Sequence, residues 1–336
     1  SLRLPSVAGP DQRSPRFLDP GRATWHDQLT MSSDTQLAAL LLSNQLTRLD
    51  VAPLKAREFW GLVDRTDALG IDVGALLTDA TVRAQVAEGD VSEQRLTGLL
   101  DATRAFAFEI ERLGEGGITL LSGLDDRFPV LLRDRMQHRC PPHLFAAGAT
   151  DALLHRRLAI AADAIDEVTE PIVRQAVAAA VVADWATVVG APGQSGHGAG
   201  PAIDAVVLDE AGACGSTPIV VVADGINRAA RSPDVRKLVQ QQAFCLVSPF
   251  VPDTTASAAT SRARDAVVQA MADRTFVVAC ADGTGPTWAT ALASVEREPA
   301  SVLSFTGPGS RPGNAALVGM GAVDIDHIDT LHDHLS

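Results

Sequence analysis

The stretch RTFVVACADGTGPTWATALASVERE, residues 274–298, indicates the fold class of the chain. It opens with an apolar run of strand length, continues through a turn that contains Gly283 and Gly285, and closes with a helical pattern that starts near Pro286. Strand, turn and helix in this order form one unit of a parallel α/β sheet.

The same unit recurs along the C-terminal two thirds of the chain. Other apolar runs of strand length lie at 117–123, 157–162, 186–191, 218–225, 244–250 and 301–307. Helical patterns separate several of them, at 170–184, 232–242 and 261–273. This alternation predicts an extended Rossmann-like, doubly wound and mostly parallel sheet over residues 116–325. Ligands of such sheets lie beyond the carboxyl ends of the strands, so candidate site residues are expected in the loops that follow the runs.

The rest of the chain has a different pattern. Residues 34–115 carry apolar side chains at helical spacing, which predicts a small all-helical domain of the SAM or helix–hairpin–helix kind. Residues 1–33 show little apolar periodicity and are expected to form a flexible tail. Residues 326–336 are expected to form one closing helix.

Net charge, cysteine spacing and the length of the apolar runs limit the classes of protein to which the chain can belong. The net charge of the 336 residues is -13, which repels a polyanion unless basic residues gather on one face. The four cysteines are scattered without metal-ligand spacing, so neither a metal nor a cofactor is predicted. No run approaches the roughly 18 apolar residues of a membrane span, and we expect a cytoplasmic protein.

The loop after residues 157–162 argues against a standard dinucleotide site. Such a site needs glycines and free N–H groups at a helix start. Here the loop has no glycine and carries Asp163, Asp166 and Glu167. A phosphate at this turn is expected to meet repulsion.

The loop that begins at Gly190 allows three interpretations. Its glycines surround Ser195 and His197, and Asp204 follows. They fit an anion-binding nest, a flexible surface loop, or a hydrolase built on Ser195 and His197. The flexible loop is the interpretation favoured by the lack of any basic residue, and local clustering does not establish a catalytic triad.

Two arginines open the helical pattern at 261–273. Arg262 and Arg264 oppose the helix dipole there, so they require either an acidic neighbour such as Asp265 or a bound phosphate. In the last glycine-rich segment, residues 306–311 are placed to face a ligand, and Asn314 is predicted to cap a short helix. Arg311 is its candidate phosphate contact.

Several motifs in this order resemble the bacterial DNA-processing protein family, called DprA or Smf. They are Phe-Pro at 128–129, PPHLFAAG at 141–148, PIVVVADGI at 218–226, CLVSPFVP at 245–252, SRARDAVVQAM at 261–271, GPTWATALA at 285–293 and FTGPGSRPGNAALVGMGA at 305–322. The resemblance implies an extended Rossmann-like domain behind a helical one. It also implies non-catalytic binding of single-stranded DNA, loading of a RecA-type recombinase in natural transformation, and a homodimer.

The chain departs from the family pattern at the pocket. Ala162, Asp163 and Ala164 stand where the family has Gly-Ser/Thr-Arg, and Ala263 replaces the Asn of Arg-Asn-Arg. Pro249 replaces a glutamate after Ser248. The fold is therefore expected to persist while the DNA pocket is weakened, retuned or lost.

The leading hypothesis is a non-catalytic DNA-processing protein that binds single-stranded DNA in recombination or DNA uptake. The predicted phosphate contacts are Arg156, Arg157, Arg262, Arg264 and Arg311, which either form a basic face with the arginines at 127–139 or are an ordinary solvated surface. The predicted pocket residues are Gly190, Gly193, Gly198, Asp204, Ser248, Gly283, Gly285, Thr287, Gly313 and Asn314. The alternative is a ligand-sensing or protein-interaction module on the same fold that has lost single-stranded DNA binding.

Overall fold

A computed structural model describes residues 34–43, 46–191, 200–231 and 233–336. The described chain divides into two compact units, with the division between Phe145 and Ala146. The predicted tail at 1–33 lies outside the described residues.

The N-terminal unit begins with the helices predicted from residue 34 onward. They are α1 (Asp34–Ser43), α2 (Ala56–Ala68), α3 (Ala80–Val86), α4 (Glu93–Leu100) and α5 (Thr103–Glu115), with a 3-10 turn at Val73–Leu77. Side chains cap α3 and α4 at their N-termini: Asp79 accepts from the N–H of Thr81, and Ser92 accepts from the N–H of Arg95. Trp60 and Phe106 are buried in its core.

Strand β1 (Ile118–Ser122), helix α6 (Val130–Met136) and a 3-10 turn at Gln137–Arg139 follow the helices, and β2 (His143–Gly148) begins within this unit. Trp60 donates from its indole nitrogen to the carbonyl of Cys140 at 2.7 Å, which ties α2 to the segment before β2.

The C-terminal unit alternates strands and helices. After a 3-10 turn at Thr150–Leu154, the strands are β3 (Arg157–Ala162), β4 (Ala186–Gly190), β5 (Ile219–Val221), β6 (Cys245–Ser248), β7 (Arg274–Ala279), β8 (Val302–Phe305) and β9 (Val323–Ile325). The helices are α7 (Thr169–Val182), α8 (Gly200–Ala213), α9 (Ile226–Ala229), α10 (Pro233–Gln240), α11 (Ala258–Met271), α12 (Gly285–Arg297) and α13 (Pro312–Gly319). A 3-10 turn at Pro299–Ser301 precedes β8.

These seven strands lie in the order β6-β5-β4-β3-β7-β8-β9, and the register of each described neighbouring pair is parallel. The chain moves outward from β3 through β6 and then returns to the other side of β3 with β7. The strand order therefore reverses between β3 and β7, where doubly wound sheets bind ligands. The predicted Rossmann-like, mostly parallel α/β fold is confirmed.

Small apolar side chains make this packing possible. Ala176 and Ala180 of α7 are fully buried, and Trp288 of α12 packs in one cluster with Val277 of β7 and Leu317 of α13. Strand β9 was not predicted, because three residues give too short a pattern, and the closing helix predicted at 326–336 is a 3-10 turn at Ile328–His334. Of the helices in the described part of the chain, none is both long and apolar enough to cross a membrane.

Candidate functional site

The edge of the C-terminal sheet at which its strands end, here called the carboxyl edge, is organised around one buried arginine. Helix α11 starts at a capping box formed by Ser257 and Thr260, and it packs against β3, β4 and β5. Arg264 faces inward from this helix and is only 1% exposed. Its guanidinium lies directly against Gly190, because a Cβ atom at that position would be 1.5 Å from Nη1. Glycine at the end of β4 is therefore what makes room for the arginine.

The charge of Arg264 is only partly paired. Its Nε lies 2.8 Å from Oδ1 of Asp265, although the N–H does not point at that oxygen. Its Nη1 is 4.0 Å from Oδ2 of Asp204, which is a weak contact. Nη2 is buried, and no described residue forms a hydrogen bond with it. The sequence raised two explanations for this arginine, an acidic neighbour and a phosphate; the acidic neighbour is present and leaves part of the guanidinium unsatisfied.

Asp204 of α8 is the second acid beside this arginine. Burial raises the pKa of its carboxyl to about 7, Arg264 opposes that shift, Asp265 adds to it, and a hydrogen bond from the N–H of Gly190 lowers it. The carboxyl therefore changes charge near neutral pH, and the pairing of Arg264 changes with it.

In the loop between β3 and α7, carboxylates of the chain accept hydrogen bonds from backbone N–H groups. Oδ1 of Asp166 accepts from the N–H groups of Val168 at 3.0 Å and Thr169 at 2.9 Å, at the start of α7. The hydrogen bonds from Thr169, the bond from Val168 and the nearby charge of Arg311 lower the pKa of Asp166. Asp163 directly follows β3, and its Oδ2 accepts from the N–H of Ala281, just after the neighbouring strand β7, at 2.6 Å. The N–H groups that a phosphate would use are already bonded to carboxylates.

Asn314 helps to cap α13, as predicted, but from the third helical position in a capping box with Arg311, and it has a further role that was not predicted. It is not the N-cap of α13 but its third residue, and it is fully buried. Its Oδ1 accepts from the N–H groups of Cys280 at 2.9 Å and Arg311 at 3.3 Å, and its amide donates to the carbonyl of Val277. The prediction missed this because a contact between β7 and α13 leaves no local sequence signal. Asn314 joins the two elements and is not free to bind a ligand.

The remaining pocket residues of the described chain mostly shape the loops. Gly283 and Gly285 have φ values of +67° and +89°, which favour glycine. A Cβ atom at Gly313 would be 2.6 Å from two carbonyl oxygens, so that glycine permits α13 to approach β7. Ser248 donates to the carbonyl of Asp224, and half-buried Thr287 lies in the first turn of α12. Gly193 and Gly198, with Ser195 and His197, lie outside the described residues.

The predicted phosphate contacts are divided between two edges of the sheet. Arg262, Arg264 and Arg311 lie at the carboxyl edge, because α11 and the β8–α13 loop begin there. Arg156 directly precedes β3 and Arg157 is its first residue, so both lie at the opposite edge, here called the amino edge.

Arg157 is 7% exposed and donates from Nε to Asp273 at 2.9 Å and from Nη1 to the carbonyl of Leu153 at 3.3 Å. Arg156 is exposed over the ring of Trp185.

The arginines at 127–139 belong to the N-terminal unit. Arg127 pairs with Asp125 at 3.1 Å, and Arg133 pairs with Asp64 at 3.2 Å while lying 3.9 Å from the ring centroid of Trp60. Local sequence counted these arginines as a positive surplus. Acids distant in sequence, such as Asp64, reduce it.

Comparison with known proteins identifies the family. The family model described as DNA recombination-mediator protein A matches residues 119–336. No curated protein matches the chain. The structure of DNA processing protein A from Streptococcus pneumoniae is similar, with a TM-score of 0.61, 16% identity, and coverage of 89% of this chain and 97% of that one.

A second solved structure is DNA processing protein A from Helicobacter pylori, described for its single-stranded DNA binding mode. Its TM-score is 0.49 at 16% identity, over 65% of this chain and 95% of that one. The family match extends over more than half of the chain, from β1 through the last turn. The chain therefore belongs to the DNA recombination-mediator protein A family.

Proposed function

We propose that this DNA-processing protein binds single-stranded DNA without catalysing a reaction on it, in recombination or DNA uptake. The observation that carries the proposal is the partly paired guanidinium of Arg264 at the carboxyl edge. Burying an arginine without full pairing costs several kcal/mol, so its presence is better explained by a ligand than by packing. A phosphate offers the oxygen pair that a guanidinium fork binds best.

Two further arginines support this position. Arg262 is exposed in the first half of α11, and no ion pair to another described residue is formed by it. Arg311 is half-buried at the start of α13, near Asp166. A strand of DNA that follows the carboxyl edge would meet Arg262 as an exposed cation, whereas Arg264 is buried and held against Gly190. Arg157 is the least suited of the predicted contacts, because its guanidinium is already bonded.

Fluorescence anisotropy with a labelled single-stranded oligonucleotide tests the proposal. Binding should weaken steeply with salt, because each neutralised phosphate releases counterions. Arg262→Ala should reduce affinity at low salt and lower the slope of log K against log salt by about 0.7. Arg156→Ala is the matched control, since it removes an exposed arginine from the amino edge.

Absence of binding by the unmodified protein at low salt would contradict the proposal. So would equal losses from Arg262→Ala and Arg156→Ala, because the binding path would then not be the carboxyl edge.

A ligand-sensing or protein-interaction module that has lost DNA binding is the second candidate. The acids at the switch point favour it, since Asp163 and Asp166 fill positions where a phosphate would bind. It predicts a rise in the melting temperature with a nucleotide-like small molecule and none with an oligonucleotide.

Family membership extends the proposal to partners. A RecA-type recombinase, a homodimer and action in the cytoplasm fit a protein that manages single-stranded DNA. Light scattering of the purified protein tests the dimer, and co-purification with a RecA-type recombinase, with and without oligonucleotide, tests the partner.

A further inference from the structure

We propose that Asp163 and Asp166 are specificity-determining residues that exclude phosphate from the β3–β7 side of the carboxyl edge and confine DNA to the Arg262–Arg264 side. This inference rests on the proposed function and deepens it. It concerns which half of one edge accepts an anion.

Asp166 occupies the start of α7 through its own hydrogen bonds. Its Oδ1 accepts from the N–H groups of Val168 and Thr169 and from the hydroxyl of Thr169 at 2.9 Å. These donors open α7, a 14-residue helix whose dipole would otherwise favour an external anion. An internal carboxylate already supplies the negative charge there. A phosphate would have to displace it.

Asp163 directly follows β3. One oxygen, Oδ2, accepts from the N–H of Ala281, directly after β7. The other, Oδ1, is buried, has no hydrogen-bond partner among the described residues, and would lie 3.6 Å from a Cβ atom at Gly285. This oxygen can only accept a hydrogen bond. A phosphate arriving over the start of α12 would meet this carboxylate oxygen and be repelled by it.

Arg311 lies near Asp166. Hydrogen bonds from Thr169 chiefly lower the pKa of Asp166, and the nearby positive charge of Arg311 adds a smaller effect in the same direction. The only predicted cation on this side is therefore partly neutralised, whereas Arg262 across the edge has no ion pair within the described chain.

Acids lie on both sides, but Asp163 and Asp166 occupy backbone N–H groups on the β3–β7 side. On the other side, Asp204 and Asp265 leave part of the Arg264 guanidinium without a hydrogen bond.

The geometry allows nearly isosteric tests. All three side-chain hydrogen bonds of Asp166 use Oδ1, and the one described for Asp163 uses Oδ2, so an asparagine oxygen can preserve each of them. Asp163→Asn/Asp166→Asn removes two charges while keeping the loop. Asp151→Asn is the single-charge control: Asp151 is exposed in the turn before β3, at the amino edge.

Oligonucleotide anisotropy and thermal shift with inorganic pyrophosphate are measured on the three proteins. The double variant should bind the oligonucleotide about tenfold more tightly at low salt and gain stabilisation by pyrophosphate, because removal of a like charge near a phosphate is worth about fivefold or more. Asp151→Asn should change affinity less than about twofold.

Unchanged affinity and unchanged pyrophosphate response in the double variant would overturn the inference, and the proposed function would stand if the unmodified protein still bound DNA. A gain of pyrophosphate stabilisation without oligonucleotide binding in either protein would support the inference and overturn the proposed function. Failure of both readouts in both proteins would overturn both.

Discussion

Arg157 and Arg264 are both buried arginines on the same sheet, and they differ in how their charges are satisfied. Arg157 lies at the amino edge and bonds Asp273 through its own backbone N–H and its Nε, while the N–H of Asp273 bonds back to the carbonyl of Arg157. Arg264 lies at the carboxyl edge between two acids, and two of its nitrogens, Nε and Nη2, form no hydrogen bond within the described chain.

The difference in hydrogen bonding indicates that Arg157 has a structural role and that Arg264 has a role in binding a ligand. A closed set of hydrogen bonds offsets the cost of burying a charge, so Arg157 holds β3 beside the segment before β7. Where some of these hydrogen bonds are missing, as at Arg264, the cost of burying the charge remains. A protein tolerates this cost where a ligand completes the site. Burial and residue type alone do not distinguish the two arginines; their partners do.

The largest expected effect is on stability at the amino edge. Arg157→Ala should lower the free energy of unfolding by about 3–5 kcal/mol, because it leaves Asp273 partly buried without its cation. Urea unfolding measures this. Arg264→Met should lower the free energy of unfolding by less, about 1–2 kcal/mol. The apolar chain replaces an incompletely paired charge, which offsets part of the cost of leaving Asp204 and Asp265 without their cation. Equal losses in the two variants would remove the distinction between the edges.

Gly190→Ala tests whether the glycine at the end of β4 makes room for the guanidinium of Arg264. The new methyl group would displace the guanidinium of Arg264, so we expect a loss of about 2–3 kcal/mol and weaker oligonucleotide binding. Combining it with Arg264→Ala should recover part of the lost stability, because the clash disappears.

Gly212→Ala is the control for that variant. It lies in α8, and a Cβ atom there would meet no atom within 4 Å, so the change should be neutral or slightly stabilising. A loss at Gly212 as large as at Gly190 would show that the Gly190 effect does not come from the arginine.

The carboxyl edge should also respond to pH. The folded-state pKa of Asp204 is about 7, above the unfolded value of about 3.9, so the folded protein binds the extra proton between these values. Stability from this group is therefore present at low pH and lost as pH rises through 7. Relative to the unmodified protein, Asp204→Asn should gain on the order of 2 kcal/mol between pH 5 and pH 8.

Chemical unfolding at several pH values measures the gain, and Asp151→Asn, an exposed carboxylate, provides the control. A constant difference between Asp204→Asn and the unmodified protein across this range would contradict the raised pKa.

The sequence was sufficient for the fold because its signal is local. Each apolar run from residue 157 to residue 305 became a strand, and glycines marked several loops of the carboxyl edge, although the loop after β3 has none. The resemblance to the DNA-processing family also rested on such local motifs, and the family match confirms it.

The site was predicted only in part because its contacts are distant in sequence. Asp163 accepts from Ala281, 118 residues later, and Arg157 bonds Asp273, 116 residues later. Local charge counts placed Arg157 on a basic surface, whereas the parallel pairing of β3 with β7 buries it. Repulsion from the acids of the loop between β3 and α7 was foreseen, but their hydrogen bonds to backbone N–H groups were not.

The smallest expected effect is at Arg156, the exposed neighbour of Arg157. Its guanidinium carbon lies 5.7 Å from the ring centroid of Trp185, a distance at which an exposed cation–π contact contributes about 0.5–1 kcal/mol or less. Arg156→Ala should therefore change the free energy of unfolding by no more than this amount and leave oligonucleotide affinity within about twofold, because one surface charge is screened across the domain at physiological salt. Urea unfolding and anisotropy measure the two quantities on the same preparation. A loss of affinity as large as that of Arg262→Ala would place the DNA path at the amino edge, and the unpaired state of Arg264 would then need another ligand to explain it.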